Sequence, residues 1–178
     1  NIEKIIPLMA TESFQTDLQL AEKLLYNECG FQLQNLIWNS ESENYGACSF
    51  ELNNKLIQYR VANITPTKIG QFVAIWKRNN KGITAPFDVA DLLDFLIISV
   101  RESESFGQFI FPKSVLVSKG IVSQNEKGGK RGIRVYAPWD KPENKQAIKT
   151  QAWQVNYFVE IRENSHLDLE FVKKNLSI

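Results

Sequence analysis

The stretch DFLIISVRESESFGQFIFP, Asp94 to Pro112, decides how the chain is built. Asp94 to Val100 reads as a strand, the polar run Arg101 to Ser105 as a turn, and Gln108 to Phe111 as the next strand, ended by Pro112. Its apolar run, Phe95 to Val100, is six residues long and is interrupted by Ser99. That is far below the roughly 20 residues of a membrane helix.

Upstream, the same strand signals recur. Tyr45 to Leu52 and Leu56 to Ile64 flank Asn53-Asn54, a pair suited to a tight hairpin turn. Thr65-Pro66-Thr67-Lys68 breaks the run. Gln71 to Lys77 follows as a strand that is largely apolar on both faces, which predicts an internal position in a sheet. Phe31 to Trp38 is apolar and extended, and Asn39 to Asn44 is a polar loop. Helices frame the strands. Asp17 to Cys29 carries an apolar stripe stopped by Gly30. Asp88 to about Asp94 reads as a helical turn or a short helix start, and Lys113 to Lys119 as a short helix stopped at Gly120. Asp140-Lys-Pro142 opens a helix with Asp140 as its cap. Val155 to Ile161 alternates as a strand. Ser165 and Asp168 form a variant capping box before a last helix, Leu167 to Leu176. Glu126 to Gly132 is a loop and Ile133 to Tyr136 a short strand. With no Ser/Gly/Pro-rich linker, residues 1–178 are expected to form one α+β domain: a central mixed, largely antiparallel sheet flanked by helices.

One echo stands out: Gly70-Gln-Phe-Val matches Gly107-Gln-Phe-Ile. A glycine at a strand start admits a neighbouring backbone or a ligand.

Composition excludes several classes. Cys29 and Cys48 have no C-x-x-C spacing and no histidine pair beside them, which argues against zinc. They are expected as two buried thiols in a reducing cytoplasm. NIEKIIPLM at the start does not read as a signal peptide, and the missing initiator Met leaves a trimmed leader open. His166 is the only histidine and falls at a helix start, a surface position.

The net charge of +1 hides segregation. Asn1 to Glu51 holds two lysines and eight acids. Leu52 to Phe87 holds six cations (Lys55, Arg60, Lys68, Lys77, Arg78, Lys81) and no acid. Asp88 to Glu104 returns to −4, and Ser105 to Trp139 carries six cations (Lys113, Lys119, Lys127, Lys130, Arg131, Arg134) against Glu126. Such blocks mark a face for a polyanion if they meet in space, and cancel if they mix. Aromatics interleave with the cations at Tyr59-Arg60, Trp76-Lys77-Arg78, Phe111-Pro-Lys113 and Arg134-Val-Tyr136, a combination that suits phosphates and stacked single-stranded bases. GGKRGIR, Gly128 to Arg134, reads either as an anion-holding loop or as a solvated hairpin tip. It is not a Walker A sequence.

Five strings together resemble the MepB family: TPTKIGQFVAIWKR (Thr65 to Arg78), PFDVADLLDF (Pro86 to Phe95), GQFIFPKSVL (Gly107 to Leu116), KRGIRVYAPWD (Lys130 to Asp140) and QAIKTQAWQVNYF (Gln146 to Phe158). The resemblance runs from about Tyr45 onward. It implies a bacterial protein encoded beside a multidrug efflux pump and its regulator, a fold likened to the PD-(D/E)XK nucleases, and nucleic-acid binding. A nuclease of that type needs converging carboxylates on Mg²⁺ and a nearby lysine. Asp94 is in the topological place of the first acid, but Gln108 and Ile110 stand where acid and lysine are required. Glu51, Asp91, Asp94 and Lys113 are the remaining catalytic candidates, and the acids among 88–94 equally suit a capped, solvated face.

The expected function is therefore binding of DNA or RNA, single-stranded included, with absent or degenerate catalysis. Arg60, Lys68, Lys77, Arg78, Lys113, Lys130, Arg131 and Arg134 would hold phosphates. No cofactor is expected unless a migrated active site takes Mg²⁺, and no membrane partner. The alternatives are that metal-dependent nuclease and a protein-interaction module acting on the efflux regulator.

Overall fold

The computed structural model describes the backbone of residues 8–163 and 168–177, with side chains from Phe14 onward. Ser165, His166 and Leu167, and the first residues NIEKIIP, lie outside them.

Strand β8 (Phe95–Glu102) and strand β9 (Ser105–Pro112) form the predicted hairpin, turned at Ser103, which takes φ +52°. Every residue of β8 from Phe95 to Val100 is buried, because the sheet is covered on both faces. Around this hairpin stand β1 (Leu33–Trp38), β2 (Cys48–Leu52), β3 (Lys55–Val61) and β11 (Phe158–Glu160), in the order β1-β2-β3-β8-β9-β11. The β3–β8 pair is parallel and the others are antiparallel, giving the mixed, largely antiparallel sheet of an α+β fold. Asn53 and Asn54 (φ +51° and +60°) form the β2–β3 turn, as an Asn-rich type I′ hairpin requires.

The β3-to-β8 crossover holds a second sheet. Strands β4 (Asn63–Thr65) and β5 (Lys68–Ala74) form a hairpin, and β10 (Gly132–Val135) pairs on the far side of β5. The segment predicted as one internal strand is thus internal, but it ends at Ala74. Ile75 donates its N–H to Arg131 O at 2.9 Å, and Lys77–Arg78 (β6) pairs instead with Thr84–Ala85 (β7).

One core lies under the helices on one face of the large sheet: Leu18, Leu25, Tyr26, Phe50, Tyr59, Phe106 and Ile110, closed by Val172 and Leu176. The other lies between the two sheets, from Ile98, Phe109 and Phe111 to Val73, Ile133 and Val135.

The helices differ in part from expectation. Helix α1 (Leu8–Ala21) starts earlier than predicted and passes into a π-helical turn, Glu22–Tyr26. Leu25 and Tyr26 in that turn are both fully buried, continuing the stripe of Leu18 and Ala21. Helix α2 (Lys113–Ser118) is the predicted short helix. Helix α3 (Lys145–Gln154) begins later than Asp140-Lys-Pro142 suggested. Asn144 is its cap, accepting from Ala147 N at 2.8 Å, whereas Asp140 Oδ2 accepts from Ala137 N at 2.7 Å in the loop before it. Burial pushes the Asp140 carboxyl above its ordinary range. Helix α4 (Leu169–Leu176) is capped by Asp168, which accepts from Phe171 N at 3.0 Å. Among the described residues no helix is long and apolar enough to cross a membrane.

Candidate nucleic-acid interface

The two glycines of the sequence echo have one physical role. A Cβ on Gly70 would lie 2.6 Å from the Tyr136 ring and 2.7 Å from Val135 O. A Cβ on Gly107 would lie 2.3 Å from the Phe158 ring and 2.6 Å from Val159 O. Each glycine lets an aromatic from the neighbouring strand lie flat across its own strand. At Gly70 the visiting ring is Tyr136, and it lines a groove of about 750 Å³ between the small sheet and α3.

Four cations line that groove: Lys68 at the start of β5, Lys119 just after α2, Lys130, and Arg134 on β10. Glu143 is the acid in its wall. Arg134 is held by three acceptors' geometry, donating from Nη1 to Gly70 O at 3.0 Å and Ile69 O at 3.4 Å and from Nη2 to Thr65 Oγ1 at 3.0 Å. Lys119 Nζ stands 5.3 Å over the Trp153 ring. Gln154, 1% exposed, ties the walls together: it accepts from Tyr136 N at 2.8 Å and donates to Arg134 O at 3.0 Å. The helix side chain thereby continues the hydrogen bonding of β10 past its last residue. The result is a cationic groove with Tyr136 and Trp153 in its wall, the donor set that phosphates and stacked bases require.

The eight expected phosphate ligands divide. Lys68, Lys130 and Arg134 meet in the groove, joined by Lys119, which the sequence placed in the second basic block without singling it out. Its position over Trp153 comes from α2 and α3 meeting in space and has no sequence signal. Arg60, Lys77 and Arg78 line a different pocket. There Lys77 Nζ meets Asp91 Oδ1 at 2.5 Å, and Arg78 Nε meets Glu41 Oε1 at 3.0 Å. Arg60 is only 2% exposed, far from the surface position a phosphate backbone would reach. Lys113 Nζ donates to Asp91 O at 2.7 Å, and Arg131 Nε to Thr84 O at 3.1 Å.

The catalytic candidates are held in structural bonds. Asp94 Oδ2 accepts from Leu56 N at 2.8 Å, joining the start of β8 to β3. Asp91 Oδ2 accepts from Asp88 N at 2.7 Å. Glu51 accepts from Asn35 Nδ2 at 3.1 Å across the β1–β2 pair. Asp88 accepts from Ser123 Oγ at 2.7 Å and from the N–H groups of Ala90 and Glu126, both at 3.0 Å. Those bonds, Ser123 first, pull its carboxyl down to about 2. Among the described residues no three His, Cys, Asp or Glu side chains gather as a metal-holding group.

Gln108, which the sequence reading set against a nuclease's second acid, lies in the core. It is fully buried, accepts from Tyr26 Oη at 2.6 Å and donates to Ser99 Oγ at 3.0 Å. Ser99 Oγ lies 2.7 Å from Tyr59 Oη. All four side chains are buried and their polar atoms are used on one another. Burial pushes both tyrosine hydroxyls well above their ordinary range, so they remain neutral.

Fold and groove define a small α+β protein with four of its basic residues on one cleft. A family model described as MepB-like matches residues 39–160, and the chain belongs to that family. A crystal structure of MepB is 35% identical over 75% of this chain and 89% of that one, with a TM-score of 0.70. A bacterial homing endonuclease structure is 15% identical over 83% of this chain and 90% of that one, with a TM-score of 0.47. Comparison with curated proteins finds no match.

Proposed function

We propose that this MepB-family protein binds nucleic acid in the groove between the small sheet and α3, and does not cut it. The observation that carries the reading is the convergence of Lys68, Lys119, Lys130 and Arg134 on one groove that also presents Tyr136 and Trp153. Cations release counterions from a phosphate chain, and rings in the same wall favour a single strand whose bases are free to stack. The chain's closed Tyr26–Gln108–Ser99–Tyr59 network supports the absence of catalysis. At the position that the nuclease resemblance would give to a metal-binding acid, the amide is buried and bonded through both its oxygen and its nitrogen.

Fluorescence anisotropy with labelled single- and double-stranded DNA and RNA tests this, at low and moderate salt, with Mg²⁺ or EDTA, each endpoint run on a denaturing gel. Binding should weaken steeply with salt. Each of Lys68→Ala, Lys119→Ala, Lys130→Ala and Arg134→Ala should lower the slope of log K against log salt by about one or less. Unchanged binding across that salt range overturns the reading. Mg²⁺-dependent cleavage that Asp94→Asn abolishes replaces it with the nuclease. Absence of binding to all four probes turns the search to a protein partner, such as an efflux regulator.

A further inference from the structure

The second cationic pocket shares no lining residue with the groove. It has a volume of about 430 Å³ and opens where the β1–β2–β3 edge of the large sheet meets the segment Trp76 to Phe87. Arg60 lies at its base. Nη1 donates to Tyr59 O at 2.7 Å, and Nε is buried with no acceptor. No carboxylate pairs with this guanidinium among the described residues. The Phe87 ring centroid lies 5.8 Å away, and burial holds the Cys48 thiol, which lines the same pocket, up at about 12, so it is neutral at physiological pH.

A buried cation without a counter-ion is unusual, since proteins pair, solvate or discharge such groups. Burial lowers the Arg60 guanidinium only to about 10, so it keeps its charge. The charge faces a pocket lined by two more cations, Lys77 and Arg78, one acid, Glu41, and two indoles, Trp38 and Trp76. Asp91 and Glu41 answer the rim cations one for one, which leaves Arg60 as the uncompensated charge.

We propose that this pocket binds the phosphate group of a small phosphate monoester, with the free edge of the Arg60 guanidinium as its anchor and Lys77 and Arg78 as rim ligands. An arginine fork meets two oxygens at once. A carboxylate offers only those two. A phosphate monoester offers a third oxygen and a second charge, which would draw Lys77 and Arg78 from their carboxylate partners toward the ligand held on Arg60. Trp38 and Trp76 give the ester's organic part an apolar surface. The inference does not depend on polynucleotide binding in the groove.

The test is titration of the 178-residue chain with phenyl phosphate, and separately with benzoate, at constant ionic strength. The readouts are the arginine Nε–H resonances and the melting temperature. With phenyl phosphate, one slowly exchanging Nε–H should shift saturably with a Kd below about 1 mM, and the melting temperature should climb with ligand concentration. Benzoate should bind at least about tenfold more weakly. Arg78→Ala, on the exposed rim, should weaken phenyl phosphate about tenfold, and Arg60→Lys, which keeps the charge and loses the fork, by more. Lys130→Ala in the groove should change nothing here, so failure of this site and failure of the groove are read separately. No saturable shift with phenyl phosphate up to about 10 mM, equal affinity for benzoate, or indifference to Arg78→Ala would each overturn the proposal. The wild-type and Arg78→Ala titrations decide it even where Arg60→Lys fails to fold.

Discussion

At the residue scale, the most exacting positions are buried and polar. Gln108, Ser99, Tyr26 and Tyr59 satisfy one another with no exposure to water, so loss of one member strands its partners. Gln108→Leu, of similar volume, leaves the Tyr26 hydroxyl without its acceptor. It should lower unfolding free energy by about 2–4 kcal/mol in urea titration. Asp88 makes a pH-dependent contribution. Its carboxyl is held at about 2 against an ordinary 3.8, a depressed value. The stability it supplies is therefore fully present above about pH 4 and is lost as pH falls toward about 2. Asp88→Asn should flatten that part of the acid-unfolding profile. Ser123→Ala removes the strongest of the bonds that depress the carboxyl and should move the loss to higher pH. The Gln108 network was not legible in the chain; the capping role of Asp88 was, but not its Ser123 partner. Gln108 was conspicuous only as an acid that was missing, because hydrogen bonding to a tyrosine 82 positions away leaves no local pattern.

At the element scale, legibility follows how local the determinants are. The β2–β3 hairpin was readable because Asn53-Asn54 tolerates the positive φ that its turn demands. The same turn is tied to α4 by Asn53 Nδ2 donating to Leu176 O at 3.2 Å. Asn54→Gly, without strain at φ +60°, should raise unfolding free energy by about 0.5 kcal/mol in the same titration. The π-helical turn and the true start of α3 were not readable, since tertiary packing selects them: Tyr26 is drawn inward to Gln108, and Asn144 rather than Asp140 meets the first free N–H groups. The Gly-Gln-Phe echo was visible, but its partner rings, Tyr136 and Phe158, were not assignable before the strands were paired. Gly107→Ala should cost about 3 kcal/mol or more, because the displaced atoms include the backbone of Val159. Gly120→Ala meets nothing within 4 Å, yet it sits at φ +66° and should cost only about 1 kcal/mol.

At the scale of the whole molecule, charge segregation was legible and its geometry was not. Of the twelve cations in the two basic blocks, the eight expected ligands divide between the groove, the pocket and two hydrogen bonds to backbone carbonyls. The division predicts unequal effects on polynucleotide affinity. Charge removal at Lys68, Lys130 or Arg134 should weaken single-stranded binding several-fold at moderate salt, whereas Arg131→Ala should change it by less than about twofold in the same anisotropy assay.

The small sheet has a further consequence, in time rather than in space. Strands β4 and β5 lie inside the β3-to-β8 crossover, but β10 arrives from residues 132–135, after the β8–β9 hairpin and α2. The hairpins β2–β3 and β8–β9 close over turns of a few residues and are free to assemble early. The sheet carrying Lys68 and Arg134 must wait for a long loop to close. Changes at the Asn53-Asn54 turn should therefore act on the refolding rate, while changes along β10 act mainly on the unfolding rate. The groove thus depends on a longer-range pairing than either hairpin does.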